Sequence, residues 1–297
     1  MQAWTRVGLA IVLAAVGTFA WLHLRHPSTV SAGLSIAPTI ASSAPTIASS
    51  APTITDAPPV LPFAGTPAQT WADGAAGIVV PAAKPVGSFT AEQVAAAYQT
   101  SRNLLIAGNL NKTTLLGGPP TAFADLLNSQ ERALFLDSLN TKGVDQAGRP
   151  LSTRVEVTSS APGSAELIGV IKVQGSMSAQ SVVFSGVTAL AVNVNYLFAY
   201  AVEQPGNPTG WTRVVAHQYG SFDFAPRGDP GGPLTPWDDT GGEHAGALCG
   251  STDGYLRPDY PSVSGPTAGP TPSGPFMNPY SNAGADGSAA CAQTTHT

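Results

Sequence analysis

From residue 189 to residue 204 the chain alternates with a period of two. Leu190, Val192, Val194, Tyr196, Phe198, Tyr200 and Val202 hold the even positions, and alanine or asparagine fills most of the odd ones. A helix returns a side chain to the same face every 3.6 residues, so this pattern excludes an amphipathic helix and dictates a long, half-buried strand. A strand of that length needs edge partners and a layer over its bulky face. Residues 166–177 supply one partner, with Leu167, Ile171, Val173 and Met177 on one face, and residues 211–224 supply another through the turn formers of residues 205–210. Residues 154–159 offer a shorter strand.

The covering layer is written upstream. Thr90 followed by Gln93 is a capping box, and Phe89 with Val94 a hydrophobic staple, so a helix starts there. Val94, Ala97, Tyr98, Leu104 and Leu105 form its apolar stripe, and Gly108-Asn109 its stop. Asn128 with Glu131 repeats the logic ahead of a second helix carrying Leu134, Phe135 and Leu139. Helices first and antiparallel strands after read as an α+β domain, its N-terminal helices packed on a curved antiparallel sheet. This element order over residues 89–225 is similar to the nuclear transport factor two-like (cystatin-like cone) fold. That likeness implies a cavity inside the cone. Arg213, His217, Tyr219 and Asp223 share parity on the last strand and would project together into it as ligand-binding residues. His217 and Asp223 stand about 20 Å apart on a regular strand, so only a bulge, for which Gly220 is the candidate, would bring them together. Without it they are polar residues of a solvated face. Asn193 and Asn195, opposite the bulky residues of their strand, either line a shallow pocket or face water.

Residues 7–22 contain no charge, and a helix continued to Leu24 covers roughly 27 Å, just enough for a bilayer core. Residues 1–26 read as a retained membrane anchor spanning through residues 7–24; a cleaved signal peptide remains the competing reading. The preferred topology puts the bulk of the chain on the extracytoplasmic side. Residues 27–70 are a Pro/Ala/Ser/Thr-rich linker in which ASSAPTI occurs twice in succession, and Pro45 and Pro52 break any coiled coil that the seven-residue period suggests. Residues 71–225 then form the α+β domain.

Residues 226–297 are a Gly/Pro-rich tail holding Arg227 and Arg257 against seven acidic residues, so the net charge of −5 lies wholly there. Trp237, Tyr255, Tyr260, Phe276 and Tyr280 suggest that the tail docks on the domain. Cys249 and Cys291 are the only cysteines, and an even count in an exported segment points to a disulfide. The segment at residues 249–262, with those at 270–280 and 73–97, resembles a set of uncharacterised actinobacterial single-pass proteins, a likeness that implies a shared architecture and no residue roles.

The chain has no Gly-x-Ser-x-Gly, no Ser-x-x-Lys, no phosphate-cradling Gly-x-x-x-x-Gly-Lys and no His-Glu-x-x-His. Asp238, Asp239, Glu243 and His244 match no EF-hand spacing and read as a solvated acidic loop. Neither a cofactor nor a metal is expected. The acidic balance leaves no basic stripe for nucleic acid. Two functions follow as expectations. The first is a membrane-anchored, non-enzymatic interaction or accessory module with an unidentified cell-envelope partner. The second is an envelope enzyme or small-ligand binder using the cone cavity, with His217 as base, or a secreted protein after signal cleavage.

Overall fold

A computed structural model describes residues 61–146, 148–184, 186–226, 234–261 and 276–282. The chain divides into two units, Met1–Ala57 and Pro58–Thr297, and every described residue belongs to the second. The anchor at residues 7–24, the heptapeptide repeat and Cys291 lie outside the described residues. Among those described, no helix is long and apolar enough to cross a membrane.

The first long helix, α1 (Ala91–Asn109), starts as its capping box dictates: the Thr90 hydroxyl accepts from the Gln93 amide, and the Gln93 side chain accepts from the Thr90 amide. Phe89 and Val94 are both buried. Two single-turn helices follow, α2 (Lys112–Leu115) and α3 (Thr121–Ala124), then α4 (Ser129–Ser138). Asn128 caps α4 by accepting from the Gln130 and Glu131 amides. The α4 stripe is narrower than its sequence suggests. Phe135 and Leu139 are buried, but Leu134 is 56% exposed.

The sheet is antiparallel, with strands β1 (Ala72–Asp73), β2 (Glu166–Leu167), β3 (Lys172–Phe184), β4 (Val187–Gln204), β5 (Asn207–Pro226) and β6 (Leu234–Ala245). Their order is β1-β3-β4-β5-β6, with β2 also paired to β4. The single strand expected over residues 166–177 is broken at Gly169, whose φ of +65° turns the chain between β2 and β3. β4 and β5 join through Pro205-Gly206, with φ of +77° at Gly206 and a register shift at Glu203/Gln204. The expected short strand at residues 154–159 is instead a 3-10 helix, Thr153–Glu156.

Even-numbered residues of β4, from Leu190 to Val202, enter the main core with Val94, Leu104, Leu105, Phe123 and Phe135 of the helices. The odd positions overturn the expectation of a half-buried strand. Leu197, Ala199 and Ala201 form a second core with Val215, Phe63, Ala68, Trp71 and Tyr280. Segments 61–71 and 276–282 therefore strap the far face of the sheet, and the central strand is covered on both sides. Trp71 meets Tyr280 edge-on, ring centroids 5.7 Å apart at 72°. The described structure thus includes residues 61–70 of the linker read from composition, with Phe63 and Ala68 buried.

It also continues past residue 225. β6 lies in the tail, and Leu256 donates its amide to the Ser159 carbonyl. The Tyr260 hydroxyl donates at 2.8 Å to Ser164 O and lies 3.0 Å from Glu203 O. Tyr255, Tyr260 and Tyr280 dock as their aromatic character suggests, whereas Phe276 stays 70% exposed.

Candidate functional site

The residues singled out on β5 do share a face, but it is the one turned away from the helices. Arg213, His217, Tyr219 and Asp223 stand opposite Ala201, Leu197, Asn195 and Ala191, all odd positions of β4. The cone cavity would lie on the other face, which is filled: Tyr196, Phe198 and Tyr200 are buried there, and the Tyr200 hydroxyl donates at 2.9 Å to Asn109 O. The void among Leu115, Leu167, Tyr200, Val202, Val214 and Leu256 is about 10 Å³, room for one water at most. Gly220 makes no bulge, since the register runs unbroken through Val194–Gly220. His217 and Asp223 accordingly remain six strand positions apart.

What the face does bring together centres on Asn195. Its amide nitrogen donates at 2.9 Å to the Asn282 carbonyl, which turns its Oδ1 toward His217 Nε2 at 2.8 Å. That orientation puts the imidazole proton on Nε2 and leaves Nδ1 as the basic nitrogen. Burial lowers the His217 pKa, so the ring is neutral at pH 7. Tyr219 flanks it, ring centroids 5.0 Å apart. Arg213 reaches the far strap, its Nε donating to the Pro62 carbonyl while its guanidinium lies 5.2 Å from the Trp211 ring centroid. Asp223 is buried. Arg213 and Asn195 thus fasten the sheet to its two straps, and His217 is held by Asn195 and Tyr219.

A second polar cluster had no signal beyond an isolated arginine. Arg154 is 3% exposed and lies 4.0 Å over the Tyr255 ring. Its Nη2 donates to Asn140 Oδ1 at 3.1 Å, and burial lowers its pKa without neutralising it. Next to it, Arg257 grips Asp253 through both carboxylate oxygens at 2.7 and 3.0 Å, which holds the Asp253 pKa down to about 2. Arg257, Tyr260, Gln204 and Ser164 border an open depression of about 360 Å³.

The run read as an acidic loop is strand β6, in which Asp238 pairs with Phe222, Asp239 with Ser221 and Glu243 with His217. Strand alternation separates positions 238 and 244 from 239 and 243. Among the described residues no group of three or more His, Cys, Asp or Glu is placed to hold a metal ion. His244 stands opposite Ala216 on the helix-covered face, where burial lowers its pKa to about 4. Cys249 is disulfide-bonded. No protein-family model, curated protein or solved structure matches the chain.

Proposed function

We propose that this chain is a membrane-anchored extracytoplasmic protein whose folded unit is a non-enzymatic interaction or accessory module of the cell envelope. In this reading residues 7–24 hold it in the bilayer, the Pro-rich linker lifts it away, and Cys249 pairs with Cys291, the one other cysteine in the sequence. Its likeness to the actinobacterial single-pass proteins and the helices-on-sheet order of the cone fold belong to the same reading. The observation that carries it is how the polar face is used. Arg213 and Asn195 clamp the straps and His217 is bonded to Asn195, while the side that would take a ligand is packed with Tyr196, Phe198 and Tyr200. The disulfide at Cys249 supports an oxidising compartment.

The test is fractionation of cells expressing the full chain, with maleimide labelling before and after reduction. The expected result is a chain that stays with membranes after an alkaline wash and takes label only once reduced. An intact chain in the cytosolic fraction with both thiols labelled overturns the proposal.

A further inference from the structure

The two edges of the sheet are built differently. At one edge β6 carries Pro236, Asp238, Asp239 and Glu243, and the Pro236 carbonyl is taken by the Asn128 side chain. Proline and charge are the usual means of preventing one sheet from adding to another. At the other edge β3 has no proline, and its one charged residue is Lys172 at its start. From Val173 to Val202 the sequence contains no Asp, Glu, Lys, Arg or His.

The hydrogen-bond parity of β3 follows from its neighbours. Ile168 donates to Ala201 O, so odd residues of β4 face β3; Lys172 pairs with Ala199, so even residues of β3 face β4. The odd residues of β3 therefore point their backbone groups outward. Gly74 donating to Ile171 O agrees, as does the Val173 carbonyl lying against Gly77. β1 covers only Lys172 and Val173. Beyond it, no backbone group of another described residue bonds to the outward N–H and C=O of Gly175, Met177, Ala179, Ser181 or Val183. A Cβ added at Gly87 would meet only the Ser181 side chain within 4 Å.

Apolar side chains lie bare at both ends of this edge. Val183, Phe184 and Val187 are 67%, 48% and 52% exposed at the hairpin tip. At the other end Val79 is 67% exposed; it follows Gly77, which lies against Val173, and its carbonyl accepts from the Tyr196 hydroxyl.

We infer that β3 pairs antiparallel with β3 of a second copy of this chain, about a two-fold axis at Ala179. Gly175 then opposes Val183 of the other copy, which brings Val183 and Phe184 of each chain to the Val79 end of its mate. Backbone groups with no backbone partner among the described residues become part of a continuous sheet, and both apolar ends are covered at once. Charge selects this surface for self-association. Two chains of net charge −5 repel wherever their acids approach, and the β3 edge has no charged residue of its own beyond Lys172, which is paired with Asp73 at 2.6 Å.

The inference does not depend on the compartment, because its readout is mass. A photo-crosslinking amino acid placed at Gln180 of the full chain, in membranes or detergent, is expected to give an adduct of twice the 30.1 kDa chain mass, and none when placed at Glu92 on α1. Ala179→Pro removes one outward donor without touching a β3–β4 bond, and the Ser178→Lys/Gln180→Lys pair puts charge at exposed positions; both are expected to lose the adduct while keeping the wild-type circular dichroism. If Ala179→Pro fails to fold, the lysine pair decides. An adduct that survives in a folded variant, an adduct with a different protein, or a chain that stays monomeric overturns the inference.

Discussion

His217 Nε2 and Asn195 Oδ1 stand 2.8 Å apart across the β4–β5 pair, and the amide nitrogen of the same Asn195 donates to the carbonyl of Asn282, 87 residues further along the chain. One side chain thereby sets a histidine tautomer and fastens a strap.

Asn195→Ala removes both bonds and is expected to cost about 1–2 kcal/mol, part of the loss being recovered by water at the half-exposed strap. Hydrogen exchange should quicken in residues 276–282 and leave α1 unchanged. Asn195→Asp separates the two roles. It loses the donor to Asn282 and places a carboxylate beside the imidazole, so the His217 pKa, followed by NMR titration, should rise above its wild-type value. Unchanged exchange in the alanine variant would remove Asn195 as the fastener.

Acid should destabilise the fold in two stages. An unfolded histidine takes its proton near 6.5, whereas His244 in the fold resists it until about 4. Its favourable contribution is therefore present above pH 6.5 and is lost as pH falls from 6.5 to 4, amounting to roughly 2 kcal/mol for a ring that keeps some contact with water. His217 acts in the same direction. Asp253, lowered to about 2 from 3.8, withdraws its contribution only as pH falls through that second range. Urea unfolding from pH 7 to pH 2 measures both stages; His244→Leu should flatten the first and leave the second.

Gly175→Ala should be costly although its backbone is ordinary strand. An added Cβ would collide with the Asn195 carbonyl oxygen and lie 2.6 Å from the Tyr196 Cα, backbone atoms that cannot turn aside. Parting β3 from β4 to admit it is expected to cost about 2–3 kcal/mol. At Gly206, where nothing lies within 4 Å and φ is +77°, asparagine should change stability by less than about 1 kcal/mol. Thermal melts of the two variants make the comparison.

Arg154→Lys keeps the charge but loses the flat contact with Tyr255 and the reach to Asn140, at an expected cost of about 1–2 kcal/mol. In a double-mutant cycle with Tyr255→Leu the coupling should be about 1 kcal/mol. Simple additivity would show that the stack contributes nothing of its own.

The parts of the fold legible in the sequence are those set by local rules. The capping box at Thr90, the Asn128 cap and the period-two run of β4 all depend on residues close together in the chain, and each appears where the pattern puts it. Parity also placed Arg213, His217, Tyr219 and Asp223 on one face, but parity cannot say which face the helices cover. The second core was hidden for a different reason. Alanines at 199 and 201 look like a solvated face until Trp71 and Tyr280 arrive from the far reaches of the chain, and no short-range pattern announces them. Glycine and charge concealed β6, whose pairing with β5 overrides weak strand propensity. Arg154 gave no signal because its partners, Asn140, Ser159 and Tyr255, converge only in three dimensions.

The straps set an order on biogenesis. Leu197, Ala199, Ala201 and Val215 lose one wall of their shelter in any nascent product that stops short of Tyr280, however well the helices upstream have formed. A ribosome stalled late in the message would release a nearly finished chain whose sheet is sheltered on that side by Phe63, Ala68 and Trp71 without Tyr280.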